Sequence, residues 1–251
     1  MMMKAFNRAL LASLFFLAAL SGRAEDKVIK LASLEWPPYT GAKLADQGAC
    51  VAVAKAAFKA MGYELKVEFY PWTRAVQLGK SDPAYAGYFP EYDSPEVRKD
   101  FTLSEPMGNG PLGLAQRLDA PLSWNAIADL ANKKIGVVQD YVNTAEFDAR
   151  VAAKQQKVDV ALDDAKNLQK LAGGRIDAAV VDGNVFNYLM KTEADLKPFA
   201  GKLAMNGKLL EDKKLFICFK KDAEGKRVAA IFAQGVHKID VAAIMAKHLG
   251  N

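Results

Sequence analysis

The chain has 251 residues, enough for one large domain or two small ones, and carries a formal net charge of +5. Lys4, Arg8 and Arg23 supply three of those five charges, and the other basic residues are scattered, which excludes a nucleic-acid-binding footprint. Two cysteines and two histidines without paired spacing exclude a typical metal site, so we expect no metal and no cofactor.

Residues 1–24 have the pattern of a secretory signal. Lys4 and Arg8 form a basic start, and residues 9–20 are an apolar run, shorter than the roughly 20 residues that span a bilayer. Gly22 and Ala24 are small residues at positions −3 and −1 of a predicted cleavage site, which lies directly after Ala24. We therefore expect a mature protein in the periplasm, with an uncleaved anchor as the alternative.

From residue 28 onward, short apolar runs alternate with helical patterns, which predicts βα units and mostly parallel sheets. Gly62 is expected to end the first helix. The elements predicted in the first half are strands at 28–34, 65–69 and 84–89 and helices at 51–61 and 72–78.

Ser94 and Pro95 predict a helix start, with Ser as the N-cap and Pro in the first position. Arg98 then lies in a short helical turn just after the third strand. Because open α/β sheets bind ligands at the carboxyl ends of their parallel strands, Arg98 is a candidate ligand-binding residue. Its guanidinium can bind a carboxylate through two parallel hydrogen bonds. The alternative is a solvated helix arginine.

The second half repeats the pattern. Its predicted strands are 134–138, 158–162, 176–181 and 215–219. Its predicted helices are 124–130, 163–171 and 229–249, and a further helix begins after a cap at Asn143 or Thr144. Asp182 follows a strand, so Arg98 and Asp182 could together hold a zwitterionic amino acid. Capping of a turn is the alternative for Asp182. Breaks at 108–111 and 205–207 divide the chain into lobe 1, residues 25–110 and 206–251, and lobe 2, residues 111–205.

A series of motifs, taken in order, resembles the periplasmic solute-binding proteins of the polar amino-acid type, known as family 3. The matching segments are Trp36-Pro37-Pro38-Tyr39, residues 70–75, 94–106 and 129–137, and Gly174-Arg175-Ile176-Asp177-Ala178 through Asp182. The resemblance implies an α/β fold of two lobes, the type II periplasmic binding protein fold. Two hinge crossings near 108–113 and 200–210 would join the lobes around a cleft.

The resemblance also implies roles for individual residues. Arg98 would hold the α-carboxylate of a ligand, Asp182 its ammonium group, and Trp36 would stack on its side chain. Glu91 stands where the family has small residues, so it could pair with Arg98 or with a cationic ligand. The remaining candidates are Tyr39, Trp72, Arg74, Phe89, Tyr141 and Thr144. For Tyr39 and Trp72 core packing is equally open, and for Arg74 a surface charge.

The implied function is non-enzymatic binding of a small polar solute, an amino acid above all, by a monomer that delivers it to an inner-membrane ABC permease. One alternative is a cyclohexadienyl dehydratase-type enzyme with Glu91 or Glu35 as general acid. Another is an orphan sensor that serves no transporter. The resemblance also places Cys50 and Cys218 in one lobe, so a disulfide between them and two buried thiols are both open.

Overall fold

The computed structural model describes residues 27–250, so the predicted signal segment 1–24 lies outside the described residues. Two five-stranded mixed sheets, each flanked by helices, form two lobes. Within the described residues no single helix is long and apolar enough to cross a membrane. The required length and hydropathy are reached only by two helices taken together, Ala223–Val236 and Val241–Leu249, which are bent by 87° relative to each other.

Lobe 1 contains the sheet β2-β1-β3-β10-β4. β1 runs parallel to β2 and β3, whereas β10 is antiparallel to β3 and β4. Its elements are β1 Val28–Ser33, α1 Ala49–Ala60, β2 Glu64–Phe69, α2 Trp72–Ser81, β3 Gly87–Glu91, α3 Pro95–Asp100, β4 Phe101–Leu103, β10 Phe216–Lys220, α7 Ala223–Val236 and α8 Val241–Leu249, with a 3-10 helix at Ala45–Gln47.

Lobe 2 contains the sheet β7-β6-β8-β5-β9. β6 runs parallel to β7 and β8, and β5 is antiparallel to β8 and β9. Its elements are β5 Asn109–Arg117, β6 Lys134–Val138, α4 Ala145–Ala152, β7 Lys157–Ala161, α5 Asp164–Ala172, β8 Ala178–Asp182, α6 Gly183–Thr192 and β9 Leu203–Lys214, with 3-10 helices at Ile127–Leu130 and Ala194–Phe199.

Local signals in the sequence set several helix starts. The Ser94 hydroxyl accepts a hydrogen bond from the Val97 amide at 3.2 Å, and Thr144 accepts one from Phe147 at 3.2 Å. Asp163 caps α5 in the same way. Each cap satisfies an amide that the helix itself leaves without a partner. The helix predicted at 229–249 is instead two helices, α7 and α8, separated at residues 237–240.

The two chain crossings lie side by side. Asn109 at the start of β5 faces Lys214 at the end of β9, and Met107 and Gly108 exchange backbone hydrogen bonds with Leu215. The second crossing therefore lies at residue 215 rather than at 200–210, because β9 pairs with β5 on both sides of an irregular stretch and as far as Lys214. The Met205-Asn206-Gly207 segment is a bulge within β9 and does not divide the lobes.

Both cysteines are free thiols, so the possible Cys50–Cys218 disulfide is not formed. They do lie in one lobe, on α1 and β10. Each is fully buried, but they face different surroundings: the charge of Asp182 acts on Cys50, and that of Glu91 on Cys218. Burial raises the pKa of both thiols, which keeps them protonated and unreactive.

Candidate functional site

The lobes face each other through the loops at the carboxyl ends of their parallel strands, where open α/β sheets bind ligands. Trp36 follows β1, Glu91 ends β3, and Tyr92 comes next. From lobe 2, Asp140 and Tyr141 follow β6, Asp164 follows β7 and Asp182 ends β8. The cleft between the lobes is thus built from five strand ends.

Trp36 bridges the two lobes. Its indole Nε1 donates a hydrogen bond to Asp164 Oδ2 at 3.1 Å. Its ring stacks on Tyr39 at a centroid distance of 4.6 Å and meets the edge of Tyr92 at 6.2 Å. Trp36 therefore lies between the lobes with its polar edge already bonded to the opposite lobe, and its stacking on a ligand stays a prediction.

Tyr39 makes a second bridge, to Asp182. Its hydroxyl lies 3.2 and 3.1 Å from the two carboxylate oxygens of Asp182 and accepts a hydrogen bond from Asn184 Nδ2 at 2.7 Å. Asp182 also accepts from the Asn184 and Val185 amides, so it caps α6 while facing the cleft. Asp182 thus caps a helix at the contact between the lobes, and its binding of a ligand ammonium group stays a prediction.

Gly110 makes room for this bridge. A Cβ atom on Gly110 would lie 2.0 Å from Asp182 Oδ2 and 2.4 Å from the Tyr39 hydroxyl. Only a residue without a side chain allows β5 to pass so close to the pair. Gly110 therefore allows β5 to pack directly against the Tyr39–Asp182 bridge.

A third bridge lies at the start of α2. Trp72 Nε1 donates to the Asp140 carbonyl at 3.0 Å, and the Thr73 hydroxyl donates to Asp140 Oδ2 at 2.6 Å. The Trp72 ring packs edge-on against Tyr141 at 5.7 Å and Tyr88 at 5.4 Å. Trp72 and Tyr141, both predicted as site residues, thus meet across the cleft.

Beside these bridges lies a small, partly open cavity of about 30 Å³, which we call the inner cavity. A space of this size holds a water molecule or two. Its nine lining residues are Leu34, Trp36, Trp72, Pro90, Glu91, Tyr92, Tyr141, Val142 and Leu215. It has aromatic walls and one carboxyl group, Glu91, and none of its lining residues is basic.

Tyr92 is one of the residues that line the inner cavity. The residue is only 6% exposed, yet its hydroxyl has no hydrogen-bond partner among the described residues. Burial, together with the charges of Asp182 and Asp164, raises the pKa of Tyr92 far above its usual value. A buried hydroxyl left without a partner costs about 1–3 kcal/mol, so the site is suited to a ligand or water that satisfies it.

Three carboxyl groups are buried near the contact between the lobes: Glu91, which lines the inner cavity, and Asp164 and Asp182 on the lobe 2 side. Glu91 accepts from the Tyr88 hydroxyl at 3.0 Å and from the Tyr92 amide at 2.7 Å. Burial raises the pKa of Glu91, Asp164 and Asp182 to about 7 each, from usual values near 4. The cause is desolvation, which disfavours the charged form. A cation placed among them would lower these pKa values again.

A wider groove opens outside the Trp36–Asp164 bridge. This outer groove has a volume of about 500 Å³ and shares Trp36 and Tyr141 with the inner cavity. Its charged lining residues are Glu35, Lys43, Asp163, Asp164, Lys166, Glu193 and Asp195. Five acids against two bases make the approach to the cleft acidic.

The structure does not bring Arg98 and Asp182 together. Both guanidinium hydrogen bonds of Arg98 go to Asp93, at 2.6 and 2.7 Å, and the Arg98 side chain is 58% exposed. The suggested pairing of Glu91 with Arg98 is therefore wrong. A role for Arg98 in binding a carboxylate stays a prediction from the family resemblance.

Three further candidates lie away from the inner cavity. Arg74 is exposed, with its guanidinium 5.9 Å from the Tyr70 ring centroid, which agrees with a surface charge. Phe89 is fully buried, and its carbonyl accepts a hydrogen bond from Ser33. The Thr144 hydroxyl caps α4. Ligand contacts by these three residues stay predictions.

Sequence reasoning missed Asp164 and Tyr92. Asp164 had a usable signal, because it follows a strand and begins a helix, as Asp182 does. Tyr92 directly follows Glu91 at the end of β3, so the sequence also indicated its position at a strand end. That its hydroxyl is buried without a partner depends on how the lobes pack, which no local pattern reveals.

No protein-family model matches the sequence, and no curated protein matches it significantly. Solved structures match over nearly its whole length. One is a histidine kinase sensor domain with similarity to periplasmic binding proteins. Its TM-score is 0.77 at 19% identity, and the match covers 91% of this chain and 98% of that chain.

Two other solved structures are similar. The VFT2 domain of BvgS from Bordetella pertussis, a double mutant, has a TM-score of 0.72 at 18% identity, covering 90% of this chain and 94% of that chain. AbpA, an amino acid ABC transporter substrate-binding protein from Streptococcus pneumoniae bound to L-arginine, has a TM-score of 0.70 at 17% identity, covering 89% and 95%. The chain therefore has the two-lobe periplasmic binding protein fold that the sequence predicted.

Proposed function

We propose that this protein binds a small polar solute carrying an amino group, such as an amino acid or a related amine, in the cleft between its lobes. The observation that carries the proposal is the inner cavity, which is lined by aromatic side chains of both lobes and includes Tyr92, whose buried hydroxyl has no partner among the described residues. Burial of a ligand between concave, mostly apolar walls with a few polar groups is typical of small-molecule sites.

The described neighbours support binding over catalysis. They are a sensor domain, a VFT2 domain and a substrate-binding protein whose structure holds L-arginine. The dehydratase alternative would use Glu91 as its acid. We expect the protein to bind its ligand without converting it.

Release of the ligand requires the lobes to separate. The two crossings at residues 104–108 and 215 are short, adjacent and hydrogen-bonded to each other, which suits a hinge. Gly108 has φ +143°, a conformation that side-chain-bearing residues rarely adopt. We propose that bending here opens the cleft, and that the ligand passes to an inner-membrane ABC permease or is sensed by a receptor.

A thermal-shift screen of the mature protein tests the binding function. The compounds are the common amino acids, di- and polyamines, quaternary ammonium compounds, small organic acids and sugars. A ligand at 100 times its Kd stabilises the folded protein by about 2.7 kcal/mol, enough to raise the melting temperature by several degrees. If no compound shifts the melting temperature and calorimetry confirms the absence of binding, the proposed function is wrong.

Location, oligomeric state and catalysis need separate measurements. We propose that the protein is periplasmic and monomeric, which fractionation of cells and light scattering of the purified protein would check. Incubation with prephenate or arogenate, followed by product analysis, should show no turnover. Enzymatic conversion of either compound would favour the dehydratase alternative instead.

A further inference from the structure

We propose that the cleft selects a small organic cation, an amine or ammonium compound that has no free carboxylate. This inference rests on the binding function proposed above and narrows its ligand class. It departs from the zwitterionic amino acid that the pairing of Arg98 with Asp182 suggested.

The buried ionisable groups between the lobes are acidic. Glu91 lies in lobe 1, and Asp164 and Asp182 lie in lobe 2; each is at most 6% exposed. An ammonium group among these carboxyls gains charge-assisted hydrogen bonds. A ligand carboxylate placed there would instead add a fourth buried acid, and a buried charge without a partner is strongly unfavourable.

Arg98 and Lys213, two basic residues that do not line the inner cavity, already have acidic partners. Arg98 is bound bidentately by Asp93 at the surface. The Lys213 ammonium is buried, lies 3.3 Å from a carboxylate oxygen of Glu211, and sits 5.3 Å from the Tyr92 ring centroid. Among the lining residues of the inner cavity, therefore, no basic group is available to bind a ligand carboxylate.

The unpartnered Tyr92 hydroxyl is an independent sign of a ligand. Its oxygen can accept a hydrogen bond from an ammonium group while the rings of Trp36, Trp72 and Tyr141 line the same space. Aromatic faces attract cations, and the attraction is stronger where water is excluded. Carboxyls, ring faces and one hydroxyl acceptor together match an organic ammonium ion.

The outer groove gives the cation a path. It is acidic and reaches the inner cavity at Trp36 and Tyr141, beside the hydrogen bond from Trp36 to Asp164. An acidic cleft raises the local concentration of cations. Because the inner cavity is only about 30 Å³, an entering amine must displace the Trp36 indole from Asp164 and take its place.

Matched ligand pairs test this inference by titration calorimetry of the mature protein. Agmatine and arginine differ by one carboxylate, as do cadaverine and lysine. We expect each amine to bind at least about tenfold more tightly than its amino acid. Asp164→Asn should weaken the amine by about tenfold or more. Asp222→Asn, which changes an exposed helix-capping acid on α7, should leave the affinity within about twofold.

The outcomes separate the two proposals. Equal or tighter binding of the amino acids overturns the cation inference and leaves the binding function in place. Binding of neither member of either pair also overturns the inference, whereas the binding function fails only if the whole screen is negative. If Asp164→Asn does not fold, as judged by circular dichroism, the ligand pairs on the wild type still decide the question.

Discussion

The indole Nε1 of Trp36 in lobe 1 lies 3.1 Å from Asp164 Oδ2 in lobe 2, and both residues are buried. This hydrogen bond joins the lobes directly and separates the inner cavity from the outer groove. It also keeps Asp164, a desolvated carboxyl, partnered while the cleft is closed. Together with the Tyr39–Asp182 bridge it holds the closed arrangement.

Trp36→Phe should favour the open arrangement, because it keeps an aromatic ring and removes the only N–H that the side chain donates. Leaving Asp164 without this donor costs about 1–3 kcal/mol. We expect solution scattering to show a larger radius of gyration for the variant without ligand.

Trp124→Phe is the matched control for that change. It removes an indole hydrogen bond of 3.3 Å to Asn206, which lies within lobe 2. Its scattering curve should equal that of the wild type. If both variants expand equally, or neither does, the Trp36–Asp164 bond does not hold the lobes together.

Gly110→Ala should destabilise the protein, because the new methyl group would overlap Asp182 and the Tyr39 hydroxyl. Overpacking of a well-packed site costs about 1–3 kcal/mol. Thermal or urea unfolding measures the loss. Gly207→Ala, where nothing lies within 4 Å of the added carbon, should change stability by less than about 1 kcal/mol. Equal effects at the two positions would refute the tight fit.

Stability should fall as pH rises from about 4 to 7. The pKa of Asp164 and Asp182 is raised to about 7 by burial, so in this window the folded protein keeps protons that the unfolded chain has released. The retained protons therefore stabilise the folded protein at low pH, and this stabilisation is lost as pH rises through the range. For each group the loss is at most about 1.4 kcal/mol for every unit by which its folded pKa exceeds its unfolded pKa.

Asp164→Asn tests that dependence, because the amide does not titrate. Its melting temperature should fall less steeply between pH 5 and pH 8 than that of the wild type, whereas exposed Asp222→Asn should keep the wild-type slope. Parallel curves for all three proteins would show that Asp164 does not carry a raised pKa.

Cys50 and Cys218 should resist thiol reagents in the folded protein, since both are buried and their pKa values are raised. Alkylation followed by mass spectrometry should modify neither thiol in the native state and both in denaturant without reductant. Unmodified cysteines in denaturant would indicate a disulfide, contrary to the structure.

Much of the fold could be predicted because its signals are local. Ser94-Pro95 and Asp163 mark helix starts through their own side chains, and apolar runs mark the strands. Asp182 could be placed at the edge of a sheet because it ends a strand, whereas Trp36 and Tyr39 were candidates through the family resemblance. The bulge at Met205-Asn206-Gly207 was mistaken for a lobe boundary, because a bulge and a hinge use the same residue types.

The site was less predictable because it depends on the packing of one lobe against the other. Asp93 precedes Arg98 by only five residues, yet which acid binds a guanidinium is decided by side-chain geometry. The partners of Trp36 and Tyr39 come from positions more than 120 residues away. Nor could composition show that Tyr92 buries a hydroxyl without a partner.

Hydrogen–deuterium exchange with and without the tightest-binding compound of the screen tests the central claim that the ligand lies between the lobes. The account predicts slower exchange in both lobes together, at residues 34–40 and 90–92 of lobe 1 and residues 140–144 and 163–166 of lobe 2. Helix α7, which lines neither the inner cavity nor the outer groove, should be unaffected beyond global stabilisation. Protection confined to one lobe, or centred outside these segments, would contradict the account.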